Sequence, residues 1–245
     1  MALSGSGHRN GPYFTIDLHL HTSRGSSDSN VSPQQVITRA REIGISAVCI
    51  TEHDHMWDVQ EVQDFAAQAG VVLLRGMEVT TEVGHVGAFG LDRYVGGIYR
   101  LKELRRVADD CGGLLIANHP FRYRLDPKLT FFNNHEEPFD PNDVSKAAEQ
   151  MVFSLVDAVE VLNGCCSEEE NRFALEVARK LGLAEVAGSD SHSVDSVGCV
   201  CTVLEAPALS ERALIDAIKA ARCGAGRGLL HDGNITLFGV PNQAL

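Results

Sequence analysis

A rhythm of short apolar runs is the strongest constraint on this chain. Strand-sized runs recur at about 14–18, 47–50, 71–74, 86–89, 114–117, 157–162, 184–187 and 199–203. Segments of helical character separate most of them, at 32–43, 58–69, 100–111, 167–181 and 210–222. Several helices carry their own punctuation. Ser32-Pro33 opens the first and Gly44 ends it, and Asp58 and Gly70 bracket the second. Ser167 followed by Glu168, Glu169 and Glu170 opens the fourth, which stops at Gly182. Strands alternating with helices of this length predict parallel βα units. The count fits a barrel, regular or distorted. An open doubly wound sheet is the other arrangement, but no GxGxxG turn follows the first strand and no GxxxxGK[ST] occurs.

The length of 245 residues suits one large domain, predicted over 13–245 behind a small polar arm at 1–12. The stretch 121–143, rich in Pro, Asn and aromatic residues, breaks the rhythm and predicts a long loop or cap. A formal charge of −12 argues against a basic nucleic-acid-binding surface. The apolar runs are too short to cross a bilayer, and the arm lacks the apolar stretch of a signal peptide. A cytoplasmic location is therefore expected, and seven cysteines, an odd number in a chain large enough to hold a core, predict reduced thiols consistent with it. Cys199-x-Cys201 is too close for a zinc knuckle and predicts two residues on one face of a strand.

The polar residues fall at the ends of the strands. In FTIDLHLHT, Asp17, His19 and His21 share one face, and Phe14, Ile16, Leu18 and Leu20 share the other. AVCI runs into TEHDH, VVLL leads to RGME with Glu78, and His85 introduces the next strand. LLIA leads to NHP with His119, and AEVA leads to GSDSH, with Asp190 and His192 two apart. In a βα barrel these ends meet at one face. Gathering so many ionisable groups would cost on the order of several kcal/mol each if they were desolvated and unpaired. Divalent cations remove that cost by accepting the imidazoles and carboxylates as ligands.

These motifs, DLHLHT at 17–22, TEHD at 51–54, GME at 76–78, NHP at 118–120 and GSDSH at 188–192, resemble the PHP (polymerase and histidinol phosphatase) superfamily over nearly the whole chain. VEVLNGCCSEEENRFALEVARKLGLAEVAGSDSH is similar to its stand-alone bacterial members. The resemblance implies an α/β fold, a distorted (β/α)7 TIM-like barrel, with two or three divalent ions (Mn²⁺, Fe²⁺, Zn²⁺ or Mg²⁺) at the C-terminal ends of the strands. It implies His19, His21, Glu78 and Asp190 as ligands of one metal, and Asp28, His53 and His192 as ligands of a second. Glu78 would bridge to a third, held with His85 and His119. The chain departs from the family in two places. Glu52 stands where Asp is usual, and Asp28 comes about two residues late.

The implied activity is metal-dependent hydrolysis of a small phosphomonoester, nucleotide-like or histidinol-phosphate-like, by a hydroxide bridging two ions. Arg122 and Arg124 are the candidate phosphate-binding residues, and His192 or His55 the candidate proton donor to the leaving oxygen. The expected partner is a small phosphorylated substrate, with no membrane or nucleic acid. The alternatives are a 3′–5′ exonuclease-type phosphodiesterase and a non-catalytic, metal-stabilised scaffold. Trp57 and Phe121 are read as packing at the rim, and His8, His135 and His231 as structural or solvated.

Overall fold

The computed structural model describes residues 13–126, 140–230 and 234–240. The arm at 1–12, the middle of the expected cap, and His8, His135 and His231 lie outside the described residues.

The fold is mixed α/β, with the strands in two sheets. The first runs in the order β11 (Thr236–Leu237), β10 (Cys223–Arg227), β9 (Val200–Leu204), β1 (Phe14–Asp17), β2 (Ala47–Ile50), β3 (Val72–Arg75). The second runs β4 (Met77–Thr81), β5 (Gly84–Phe89), β6 (Leu114–Ala117), β7 (Ala158–Asn163), β8 (Ala184–Gly188). The expected βα units account for the parallel pairs β1–β2, β2–β3, β6–β7 and β7–β8. The remaining pairs are antiparallel. β4 turns back into β5 through Glu82-Val83, which leaves no room for a crossover helix. β9 returns beside β1 after a short loop holding only one 3-10 turn, Val194–Ser196.

The two sheets are therefore not closed into the expected barrel. Beyond the strand ends they touch through isolated bridges, Leu20 with Ser191 and His53 with Glu78. Backbone bonds from Glu78 N to Glu52 O (3.0 Å) and from Asp54 N to Glu78 O (2.8 Å) support the second contact. Farther back, the buried Thr202 hydroxyl bonds both the N–H and the carbonyl of Ala187, each at 2.8 Å, and so stitches β9 to β8 with a side chain.

The helices cover the outer surfaces. α1 (Pro33–Ile43) and α5 (Glu168–Leu181) begin with capping boxes, Ser32 with Gln35 and Ser167 with Glu170, and end at the left-handed Gly44 and Gly182. α2 (Val59–Ala69) is capped by Asp58. α3 (Leu101–Cys111) has no capping side chain of its own. Glu82, in the β4–β5 turn, accepts its Leu101 N–H instead. The short α4 (Val144–Ala148) is capped by Asp143, and α6 (Glu211–Lys219) by Ser210. Ile16, Leu18 and Leu20 are buried in apolar clusters, as the alternation of the first strand requires. Trp57 and Phe121 are likewise buried among apolar residues. No described helix is long and apolar enough to cross a membrane.

Candidate metal centre

The strand-end residues converge where the sheets meet. Glu78, on β4, is fully buried and forms the hub. Its Oε1 lies 3.1 Å from His19 Nε2, 3.1 Å from His119 Nε2 and 3.2 Å from His85 Nδ1. Its Oε2 lies 3.3 Å from His21 Nε2 and 3.1 Å from His53 Nδ1. Asn118 Nδ2 donates to Oε1 at 3.0 Å. Asp190 Oδ1 faces His19 and His21 at 3.6 and 3.4 Å. The rings pack face to face or edge to face. His21 stacks between His53 and His192, with centroids 4.2 and 4.5 Å away.

This donor set suits cations. A carboxylate offers about four lone-pair sites, yet five imidazole nitrogens and one amide converge on Glu78. These imidazoles cannot all be proton donors to it. His19 Nε2 and His21 Nε2 also face each other at 3.1 Å, which places lone pairs in opposition unless a proton or a metal lies between them. Four three-residue groups have their ligand atoms within 4.8 Å of one another: His21–His53–His192, His19–Glu78–His119, His19–His21–Asp190 and His53–Glu78–His85. Eight of the nine expected ligands fall in these groups. The ninth, Asp28, is exposed and places Oδ2 3.2 Å from both His53 Nε2 and His192 Nε2. The grouping departs from the expected allotment chiefly at His21, which joins His53 and His192 as well as His19 and Asp190.

Electrostatics follow this crowding. Burial disfavours the charge of His19, but Glu78, Asp190 and Glu160 overcome it and hold the imidazole well above its usual range. His53 is raised to about 9, chiefly by the Glu78 carboxylate beside it. His119 is lowered by burial. Burial opposes the charge on Glu78 and Asp190, yet the surrounding imidazoles hold both carboxyls below their usual values. The backbone is strained here too. His119 and Asp190 sit at φ 29° and 53°, a region that costs non-glycine residues of order 1–3 kcal/mol.

The remaining expected site residues are placed unevenly. Arg122 Nη2 pairs with Asp190 Oδ2 and donates to Asn163 Oδ1 at 2.9 Å, so its guanidinium borders the cluster. Arg124 is buried. It donates to Pro141 O at 2.7 Å and to Asn142 Oδ1 at 3.0 Å, pairs with Glu169, and lies over the Phe173 ring. Its guanidinium ties the 140–142 segment to α5. His192 Nδ1 lies 2.9 Å from Asp190 O, and its Nε2 faces Asp28. His55 is exposed and belongs to none of the groups. Asp17 belongs to none either. Its buried carboxylate accepts the Ser189, Gly198 and His19 N–H groups at 2.8, 3.0 and 3.3 Å, and burial raises its pKa to about 6.

Supporting residues surround the ligands; of these, Glu52 was singled out in the sequence as a departure, and Ser26, Glu160 and Asn163 were given no role. Glu52, fully buried, accepts from Thr22, Ser26 and Trp57. Ser26 Oγ lies 3.2 Å from His21 Nδ1. Glu160 and Asn163 stand beside His19, His119 and Asp190. Their available signal was two polar residues in VEVLN, a run short and apolar enough to be buried on both faces.

Comparison with known proteins agrees with this picture. Residues 168–223 match the family model described as PHP-associated. An uncharacterised protein of Methanocaldococcus jannaschii is 26% identical over 158 residues, 60% of this chain and 80% of that protein. A 3′,5′-nucleoside bisphosphate phosphatase of Chromobacterium violaceum is 33% identical over 81 residues, 31% of this chain but only 28% of the phosphatase. Among solved structures, a two-domain Bacteroides vulgatus protein described as containing a PHP-like metal-dependent phosphoesterase superposes with TM-score 0.61 at 20% identity. The alignment covers 88% of this chain and 66% of that one. Fold and site together define an α/β protein with a candidate His/Glu/Asp metal centre. Over 168–223 the chain matches a PHP-associated family model, and its fold is similar to that of a protein with a PHP-like domain.

Proposed function

We propose that this protein is a divalent-metal-dependent phosphoesterase that hydrolyses a small phosphomonoester. The observation that carries the proposal is the set of four overlapping, thiolate-free ligand groups around Glu78. An N/O donor set of this kind suits Mn²⁺, Fe²⁺, Zn²⁺ or Mg²⁺ in two or three places and not a structural zinc closed by cysteines. His19, His21, Asp28, His53, Glu78, His85, His119, Asp190 and His192 would hold the metal ions, which would supply Lewis acidity toward a phosphoryl oxygen and water activated at neutral pH.

The chain's own residues do the rest. Arg122, bordering Asp190, offers a fixed guanidinium to the non-reacting phosphoryl oxygens. His192 has one ring nitrogen at a backbone carbonyl and the other in the cluster, so we assign it to the ligand set. His55, with its exposed ring, takes the role of proton donor to the leaving oxygen. We also read the two sheets as halves of a distorted (β/α)7 barrel, supported by the bridges at Leu20–Ser191 and His53–Glu78. Seven free cysteines support a reducing, cytoplasmic setting.

The test is phosphate release by Mn²⁺-reconstituted protein from p-nitrophenyl phosphate, nucleoside monophosphates, nucleoside bisphosphates and histidinol phosphate. Turnover of at least one, abolished in His19→Ala with the fold retained, is expected. No release from any of them overturns the proposal. Digestion of labelled single-stranded DNA in its place would assign the site to phosphodiester cleavage.

A further inference from the structure

Glu160 is a buried carboxylate, 2% exposed, and among the described residues it has no Lys or Arg partner within salt-bridge distance. Such a group is costly to bury unless its lone pairs are filled, and here they are filled with direction. Oε1 lies 3.0 Å from His19 Nδ1. Oε2 accepts the backbone N–H of His119 at 2.7 Å and Asn163 Nδ2 at 2.9 Å. One carboxylate on β7 therefore holds a ring from the end of β1 and the strained backbone from the end of β6.

Three local features serve this arrangement. A register shift in the β7–β8 pairing falls between Glu160 and Leu162, and such irregularities re-aim side chains. Gly188 leaves the space. A Cβ there would lie 2.3 Å from His19 Cβ and 2.7 Å from Glu160 Oε1. Asn163 passes the connection onward, accepting from Arg122 Nη2 at 2.9 Å and placing Nδ2 3.3 Å from Asp190 Oδ2.

The consequence concerns the tautomer of His19. A neutral imidazole has one N–H and one lone pair. With its Nδ1 proton donated to Glu160, the lone pair is on Nε2, the nitrogen that faces Glu78, Asp190 and His21. We propose that Glu160 is a positioning residue: it fixes His19 as an Nε2 ligand, anchors His119, and thereby sets the affinity of the site for divalent ions. The proposal rests on the metal-centre reading above, and its test separates the two.

Glu160→Gln is the informative change because it keeps the volume. The amide retains one acceptor, for His119 N, but presents an N–H to His19 Nδ1, which then needs its lone pair there and its proton on Nε2. The measurement is Mn²⁺ binding to the metal-stripped protein by calorimetry and by electron paramagnetic resonance of free Mn²⁺. A loss of about 10- to 100-fold in affinity, typical when a carboxylate behind a ligating histidine is removed, is expected. Far-ultraviolet circular dichroism and the melting temperature of the stripped protein should stay near those of wild type. Binding within twofold of wild type overturns the proposal while leaving the metal centre intact. Absence of Mn²⁺ binding by wild type overturns the metal-centre reading itself. A second measurement needs no variant: imidazole ¹⁵N resonances of the Zn²⁺-loaded wild-type protein should show His19 protonated at Nδ1. A proton on Nε2 of His19 overturns the proposal even if Glu160→Gln fails to fold.

Discussion

His53 stands at the solvent side of the cluster, between Glu78 and Asp28, and its pKa of about 9 has two consequences of opposite sign. The folded-state value lies above the ordinary 6.5, so the charged pair stabilises the metal-free protein fully below that pH and is lost as pH rises through about 9. A ligand must be neutral, so metal affinity moves the other way and rises over the same interval. Melting curves of stripped protein from pH 6.5 to 9.5 should fall with a slope that His53→Gln reduces, while Mn²⁺ affinity of wild type climbs. The thiols give a second expectation. Burial pushes Cys199 and Cys223 up to about 12, whereas Cys111 is exposed. Iodoacetamide at neutral pH should modify Cys111 in the native protein and reach Cys199 and Cys223 only after denaturation; early labelling of Cys199 would contradict the packing. At this scale the convergence of the candidate ligands was legible because most of them lie at or near the ends of strand-sized apolar runs. Glu160 was not, because a buried acid looks the same in sequence as an exposed one until its donors are known. The partners of Arg124 were hidden for a related reason. A guanidinium close in sequence to His119 is drawn away by Glu169 and the Pro141 carbonyl, partners that sequence order does not reveal.

The five principal helices were readable to within a few residues, since Ser32, Asp58, Ser167 and the terminal glycines mark their ends chemically. The strands were harder. β4 follows β3 after a single glycine and carries no turn signal of its own, and β10 opens at Cys223, where the helical pattern seemed only to fade. The closed barrel was expected because alternation specifies parallel units but says nothing of a strand that reverses across a two-residue turn. Gly76, the residue between β3 and β4, tests this joint. A Cβ there would lie 2.5 Å from the Phe89 ring and 3.0 Å from Thr51 Cγ2. Gly76→Ala should cost about 1–3 kcal/mol through overpacking, read as a lower urea midpoint with unchanged slope. An unchanged midpoint would show that Phe89 has room to move.

For the whole molecule, gathering eight metal-capable side chains around Glu78, several of them buried, would couple stability to ion supply. Binding to the native state alone should stabilise by about 2.7 kcal/mol at one hundred times the dissociation constant. The melting temperature should rise with Mn²⁺ concentration and fall back on chelation, and His19→Ala should abolish the response. A melting temperature indifferent to Mn²⁺, Zn²⁺ and Mg²⁺ would contradict metal binding at the cluster. The location of the cluster adds one thing more. Leu20–Ser191 and His53–Glu78 are single-residue bridges, and the histidines and carboxylates flank both. Cations seated there would rivet one half of the protein to the other, where backbone pairing alone is thin. Starved of ions, the chain should loosen first along those two joints, so amide exchange at residues 19–21, 52–54 and 189–191 would quicken well before the helices exchange. The protein would then carry its own fuel gauge, its looseness reporting how many ions it holds.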